Sequence, residues 1–150
     1  MDLKIFSHQE LYDVEVVERK GIGHPDSLAD ILAESFSNDY SLYCLENFGT
    51  VLNYWFDKVT LSGGVCSLDF GRCDVLKPVT IYLFGRITPS FGDQIIPYED
   101  LFKKTCFRTF KKIFGNNFKD EFLVFHFDVN SALGADHDKT YYAPSSTPFT

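Results

Sequence analysis

The sequence predicts an α/β chain of the α+β type, a two-layer sandwich in which helices cover one face of a mixed sheet. Apolar residues recur at helical spacing over 27–46 and again over 98–114. Runs rich in β-branched and aromatic residues fall between and after them, at 51–62, 75–84 and 122–127. A helix with one apolar face must bury it, and a sheet covered on one side is the simplest partner. The order of elements lacks the run of short crossovers that a doubly wound parallel sheet requires.

Taken in order, Leu11 to Val17 alternates β-branched with acidic residues, as a strand with one wet face does. Residues 18–26, with two glycines, several charges and Pro25, read as a shaped loop, and Pro25 suits the first helical turn because its missing N–H costs nothing there. From Ser27 to about Glu46 the stripe at 28, 31, 32, 36, 40 and 43 predicts a long helix, stopped at Phe48-Gly49. Val51–Ser62 and Val75–Phe84 hold strands, broken by Gly63-Gly64 and limited by Pro78. Between them, Cys66 to Asp74 is either a loop or an irregular hairpin. Pro89 to Pro97 is a turn-rich connection. Tyr98 to Phe114 is a second helix with basic residues opposite its apolar stripe, ended by Gly115, and 122–127 is a further strand before a polar, turn-like stretch from Asn130.

A length of 150 residues fits one domain, residues 1–150, able to bury about two-thirds of its extended surface. The 16 Phe and 8 Tyr exceed what so small a core easily hides, so some rings are expected at an interface or scattered on the surface. A formal charge of −7 opposes general nucleic-acid binding, while leaving room for a small polyanion at a local cluster of opposite sign. Cys44, Cys66, Cys73 and Cys106 lack metal-type spacing and read as free buried thiols of a reducing compartment. With no apolar signal region and no bilayer-length run, the expected location is the cytoplasm, away from membranes.

The strongest chemical constellation is Gly21-Ile22-Gly23-His24-Pro25-Asp26 at the helix entrance. A helix start offers unsatisfied N–H groups and partial positive charge to an anion. His24 can donate to a phosphate oxygen, and Asp26 can bind Mg²⁺, the usual companion of polyphosphate. The bland alternative packs His24 in a turn and uses Asp26 to charge the first helical turn. Asp26 and Asp30, four apart, share a helical face and could join a metal or simply face water. Lys58, beside Asp57 in a strand-like run, either reaches phosphate or lies on an exposed face; Arg86 ends a strand and is similarly open to both readings. Asp136, His137, Asp138 and Lys139 put carboxylate, imidazole and ammonium groups in one stretch that suits a metal, a zwitterion or plain solvent. No Ser-His-Asp site can be inferred from His24, His126 and His137.

Three segments, VEVVERKGIGHPDS at 14–27, DKVTLSGG at 57–64 and PVTIYLFGRIT at 78–88, with a fainter YYAPSS at 141–146, resemble the archaeal-type S-adenosylmethionine synthetases, or methionine adenosyltransferases, in order and spacing. The resemblance implies the fold of that family's N-terminal region. It also implies formation of S-adenosylmethionine from ATP and methionine, with release of phosphate and diphosphate and assistance from Mg²⁺ and K⁺. By motif position His24 would act at the triphosphate, Asp26 would bind Mg²⁺, and Asp136 or Asp138 would hold methionine. Family members are more than twice as long and place active sites between subunits, which implies a truncated domain that works as a homo-oligomer or with a partner carrying the missing domains. A non-catalytic nucleotide-binding or regulatory partner of a full-length synthetase, or an inactive fragment, is the alternative. Asn53-Tyr54-Trp55-Phe56 and Phe70-Gly71-Arg72-Cys73 depart from the family's polar and glycine-rich runs at those places.

Overall fold

A computed structural model of the chain describes residues 16–70, 72–131 and 140–142. The strand expected at Leu11–Val17 lies outside them except for Val16 and Val17, which are exposed and irregular. The first regular element is α1, Pro25–Phe48. His24 caps it in extended conformation, Pro25 opens its first turn, and Gly49 ends it at φ 72°, a left-handed geometry that costs glycine little. Its buried residues, Leu28, Leu32, Phe36, Tyr40 and Cys44, repeat every fourth position. Ile31 and Tyr43, expected in the stripe, are half-buried at its edges.

The helix lies against a three-stranded sheet of β2 (Tyr54–Ser62), β5 (Val79–Ile87) and β8 (Leu123–Ser131), ordered β2-β5-β8. The β2–β5 pair is antiparallel and β5–β8 parallel, so the sheet is mixed as predicted. A parallel pair requires a crossover, and α2, Tyr98–Phe114, supplies it between β5 and β8. Period-two alternation sends Ile81, Leu83 and Ile87 of β5, with Leu123, Phe125 and Phe127 of β8, toward the helices. Val124, His126 and Asp128 take the opposite, exposed side. In β2 the alternation slips at a bulge between Trp55 and Lys58, which lets both Phe56 and Val59 face inward. Gly85 makes room for it: a Cβ there would stand 2.2 Å from the Trp55 carbonyl oxygen.

Aromatic rings fill the space between the layers. Phe36 of α1 stands 4.5 Å from Phe56 and 5.0 Å from Phe102 of α2, ring centre to ring centre. Tyr40 is fully buried, and its hydroxyl donates to the Thr88 carbonyl at 3.0 Å, so the polar tip keeps a partner. Burial raises its pKa well above the ordinary phenol range. Thr105 and Thr109 of α2, outside the apolar stripe read from the sequence, are buried; the Thr105 hydroxyl donates to Leu101 O at 3.0 Å and to the Asp39 carboxylate, which also receives Arg108 at 2.6 Å.

The open reading of 66–74 is settled as a hairpin, β3 (Val65–Asp69) with β4 (Arg72–Lys77). Residues 89–97 hold a small hairpin of β6 (Ser90–Phe91) and β7 (Gln94–Ile95). The polar stretch from Asn130 is less turn-like than expected, because β8 runs to Ser131 and β9 (Thr140–Tyr142) pairs with β1 (Val51–Leu52). Cys44 and Cys106 are buried free thiols as expected, with burial raising both pKa values, but Cys66 is exposed because its hairpin stands away from the core. Among the described residues no helix is long and apolar enough to cross a membrane.

Candidate functional site

The loop before α1 closes through a hydrogen bond from His24 N–H to Gly21 O at 3.0 Å, and the helix begins with Leu28 N–H to His24 O at 2.9 Å. Two of the first-turn donors are already accounted for. Pro25 has no N–H, and the Asp26 N–H donates to His24 Nδ1 at 3.2 Å. Ser27 is left as a first-turn donor without a hydrogen-bond partner among the described residues. Because Nδ1 accepts, the proton of a neutral His24 imidazole is assigned to Nε2, which makes Nε2 the group able to donate outward. The His24 side chain is part-exposed and Asp26 is open to solvent, so both are accessible to a ligand.

Asp26 carries an ion pair that sequence reading missed. Lys20 Nζ donates to its carboxylate across the loop, six residues away in sequence. That hydrogen bond first, then the Lys20 charge, hold the Asp26 carboxyl below the usual carboxylate range, with His24 adding to the effect. The signal was present, since Lys20 flanks the glycines, but no helical or strand period pairs it with Asp26. Neither Gly21 nor Gly23 has positive φ; a Cβ on Gly23 would meet only the Phe114 ring at 3.4 Å, and one on Gly21 would meet nothing within 4 Å.

A metal has few ligands here. Among the described residues no group of three His, Cys, Asp or Glu could hold an ion, so Asp30, exposed one turn along α1, forms no such set with Asp26. A single carboxylate still fits Mg²⁺ in a nucleotide site, where phosphate and water complete the shell. Lys58 is exposed on the sheet face that the helices leave open, opposite Phe84 of β5, whereas His24 and Asp26 stand at the end of a helix packed on the other face. Arg86 is exposed on β5 between Trp55 and Asn130. Asp136, Asp138 and His137 lie outside the described residues. Also missed was a ladder on the open face, where strand register stacks Tyr82 on His126 at 5.1 Å and alternation along β5 sets it beside Phe84 at 6.1 Å.

Comparison with known proteins identifies the relatives of this arrangement. The family described as S-adenosylmethionine synthetase (AdoMet synthetase) matches residues 3–136. An uncharacterized protein of Streptococcus pyogenes is 40% identical over 128 residues, covering 83% of this chain and 32% of the relative. The S-adenosylmethionine synthase of Thermoplasma volcanium is 40% identical over 124 residues, covering 83% of this chain and 28% of the relative. A probable S-adenosylmethionine synthase of Aquifex aeolicus is 44% identical over 89 residues, 59% of this chain and 22% of its own. The chain thus spans less than a third of the length of the curated relatives it matches.

Proposed function

Because the chain belongs to the S-adenosylmethionine synthetase family, we propose that the entrance of α1 binds the triphosphate of ATP, with His24 donating to it and Asp26 holding its Mg²⁺. The observation that carries this reading is the pairing at one helix end of an accessible imidazole with an exposed carboxylate that Lys20 hydrogen-bonds. Both are accessible, and both sit where the helix dipole and the Ser27 N–H favour negative charge.

The chemistry supports the same residues. When methionine sulfur attacks the 5′ carbon of ATP, the bond from that carbon to the triphosphate breaks and negative charge develops on the departing oxygen. A donor aimed at that oxygen stabilises the transition state more than the ground state, which is the condition for acceleration. Bound magnesium would neutralise charge on the triphosphate. Lys20 holds the Asp26 carboxylate until the ion takes its place, then becomes a cation available to a phosphate. Asp136 or Asp138 is proposed to hold the methionine amine, and Lys58 to serve phosphate.

Incubation with ATP, Mg²⁺, K⁺ and methionine, read by S-adenosylmethionine and released phosphate, tests the activity. Turnover that falls at least about a hundredfold in Asp26→Asn and His24→Asn is the expected outcome. Turnover untouched by either substitution would sink the assignment. A second reading is nucleotide binding without turnover, favoured by the bulky Tyr54-Trp55-Phe56 run and by the short span relative to the relatives. It predicts binding of Mg²⁺-ATP that depends on the same two residues, with no product.

A further inference from the structure

Lys20 places its ammonium on Oδ2 of Asp26, the carboxylate proposed to hold Mg²⁺, so a cation of the chain itself stands where the metal would bind. The turn closed by His24 N–H on Gly21 O brings the two side chains together across the loop. Both are more than half exposed, at 59% and 65%, so the ammonium can swing on its flexible stem without dragging the fold with it. Asp26 has little help in holding an ion. His24 Nδ1, 3.9 Å from the same carboxylate oxygen, already accepts from the Asp26 N–H. Among the described residues no group of three His, Cys, Asp or Glu could complete a set with it.

We propose that Lys20 is an internal cation that keeps free Mg²⁺ off Asp26 and admits the ion only together with a polyphosphate. The inference rests on the triphosphate site proposed at this helix entrance and adds how that site is filled. To admit a free ion, Lys20 would have to give up its contact and remain as an ammonium close to a divalent cation, with one carboxylate to offset both. Like charges at that range repel even in water. A polyphosphate reverses the sign of the exchange, because its oxygens offer the displaced ammonium an anionic partner. The three rotatable donors of Lys20 can pass from the carboxylate to a phosphate oxygen by side-chain rotation alone. Metal and polyphosphate are therefore coupled through Lys20, and by linkage each raises the affinity for the other by the same factor. Once the polyphosphate leaves, Lys20 returns to Asp26 and the ion is released with it.

Two titrations test it: Mg²⁺ alone, followed at the Asp26 carboxyl by NMR, and Mg²⁺-ATP, followed by calorimetry. Each is run on the chain, on Lys20→Met and on Arg19→Met, which removes an exposed neighbouring cation outside the pair. Lys20→Met is expected to move the two affinities in opposite directions, with Mg²⁺ alone bound at least about threefold tighter and Mg²⁺-ATP at least about threefold weaker. Arg19→Met is expected to change each by less than about twofold. Equal effects in the two variants would overturn the proposal, since the general field of the loop would then account for them. Free Mg²⁺ that binds Lys20→Met no more tightly than the unaltered chain would overturn it too. Failure of the underlying site reads differently: Mg²⁺-ATP binding that Asp26→Asn leaves intact removes the triphosphate site and the exchange with it. Binding that needs Asp26 and ignores Lys20→Met overturns the exchange alone.

Discussion

At the scale of residues, the entrance of α1 combines structural duties with the proposed ligand-directed ones in two side chains. The Lys20 hydrogen bond and charge lower the Asp26 pKa in the folded state, so whatever stability the pair contributes is present above the unfolded carboxylate pKa. It is lost as pH falls through the lower, folded value. Both groups are exposed, so the gain is screened and small. A carboxyl NMR titration is expected to place Asp26 below ordinary aspartates, and Lys20→Met is expected to raise it toward them; an unmoved midpoint would disprove the pairing. His24 can be dissected in the same spirit. Replacing it by Ala removes the cap and should cost about 1 kcal/mol in chemical denaturation, whereas His24→Asn should keep the cap through Oδ1 and most of that stability while losing the imidazole Nε2 and its longer reach. Equal loss in both variants would show that the imidazole serves the fold in some other way. The sequence made this loop legible as far as His24, Pro25 and Asp26, which it placed at a helix entrance with both a ligand reading and a purely structural one open. It concealed Lys20 because an i, i+6 pair depends on the turn closed by the His24-to-Gly21 hydrogen bond.

At the scale of elements, helices were easier to read than strands because a stripe spanning several turns leaves little choice of period. α2 begins and ends where its sequence signals place it, at Tyr98 and Phe114, and Pro25 and Gly49 bracket α1 through their backbone geometry. Thr105 and Thr109 escaped notice because their burial depends on the neighbouring helix: Asp39 of α1 accepts from the Thr105 hydroxyl. The hairpin could not be distinguished from a loop, since β3 and β4 pair with each other and carry no core-facing alternation. Two glycine substitutions separate the demands of β5 from those of the loop. Gly85→Ala would drive a Cβ into the Trp55 carbonyl, and a loss of about 1–3 kcal/mol or failure to fold is expected. Gly23→Ala meets only a ring at ordinary contact distance and should change stability by less than about 0.5 kcal/mol. Reversal of that ranking in urea denaturation would contradict the bulge geometry.

At the scale of the whole molecule, the aromatic surplus divides between two uses. Phe36, Tyr40, Phe56 and Phe102 knit the helices to the sheet, and Phe36→Ala should cost about 3–5 kcal/mol in urea denaturation, a loss under about 1 kcal/mol being incompatible with this packing. Trp55, Phe70, Phe91 and Phe114 remain exposed, as an excess over the core's capacity required. Composition anticipated that excess without locating it; only the hairpin and the sheet register show where the rings gather. The two-layer arrangement followed from the helical stripes, but strand order did not, because nothing in a strand's own residues records which neighbour it joins. In two relatives the matched segment is less than a third of the protein.

Titrating Mg²⁺-ATP into the chain while following the His24 imidazole and the Asp26 carboxyl by NMR tests ligand binding at α1 most directly. Saturable shifts of both resonances, lost in Asp26→Asn and leaving His126 on the open sheet face undisturbed, are predicted. Shifts confined to His126, or none at either histidine, would contradict a triphosphate site at this helix entrance.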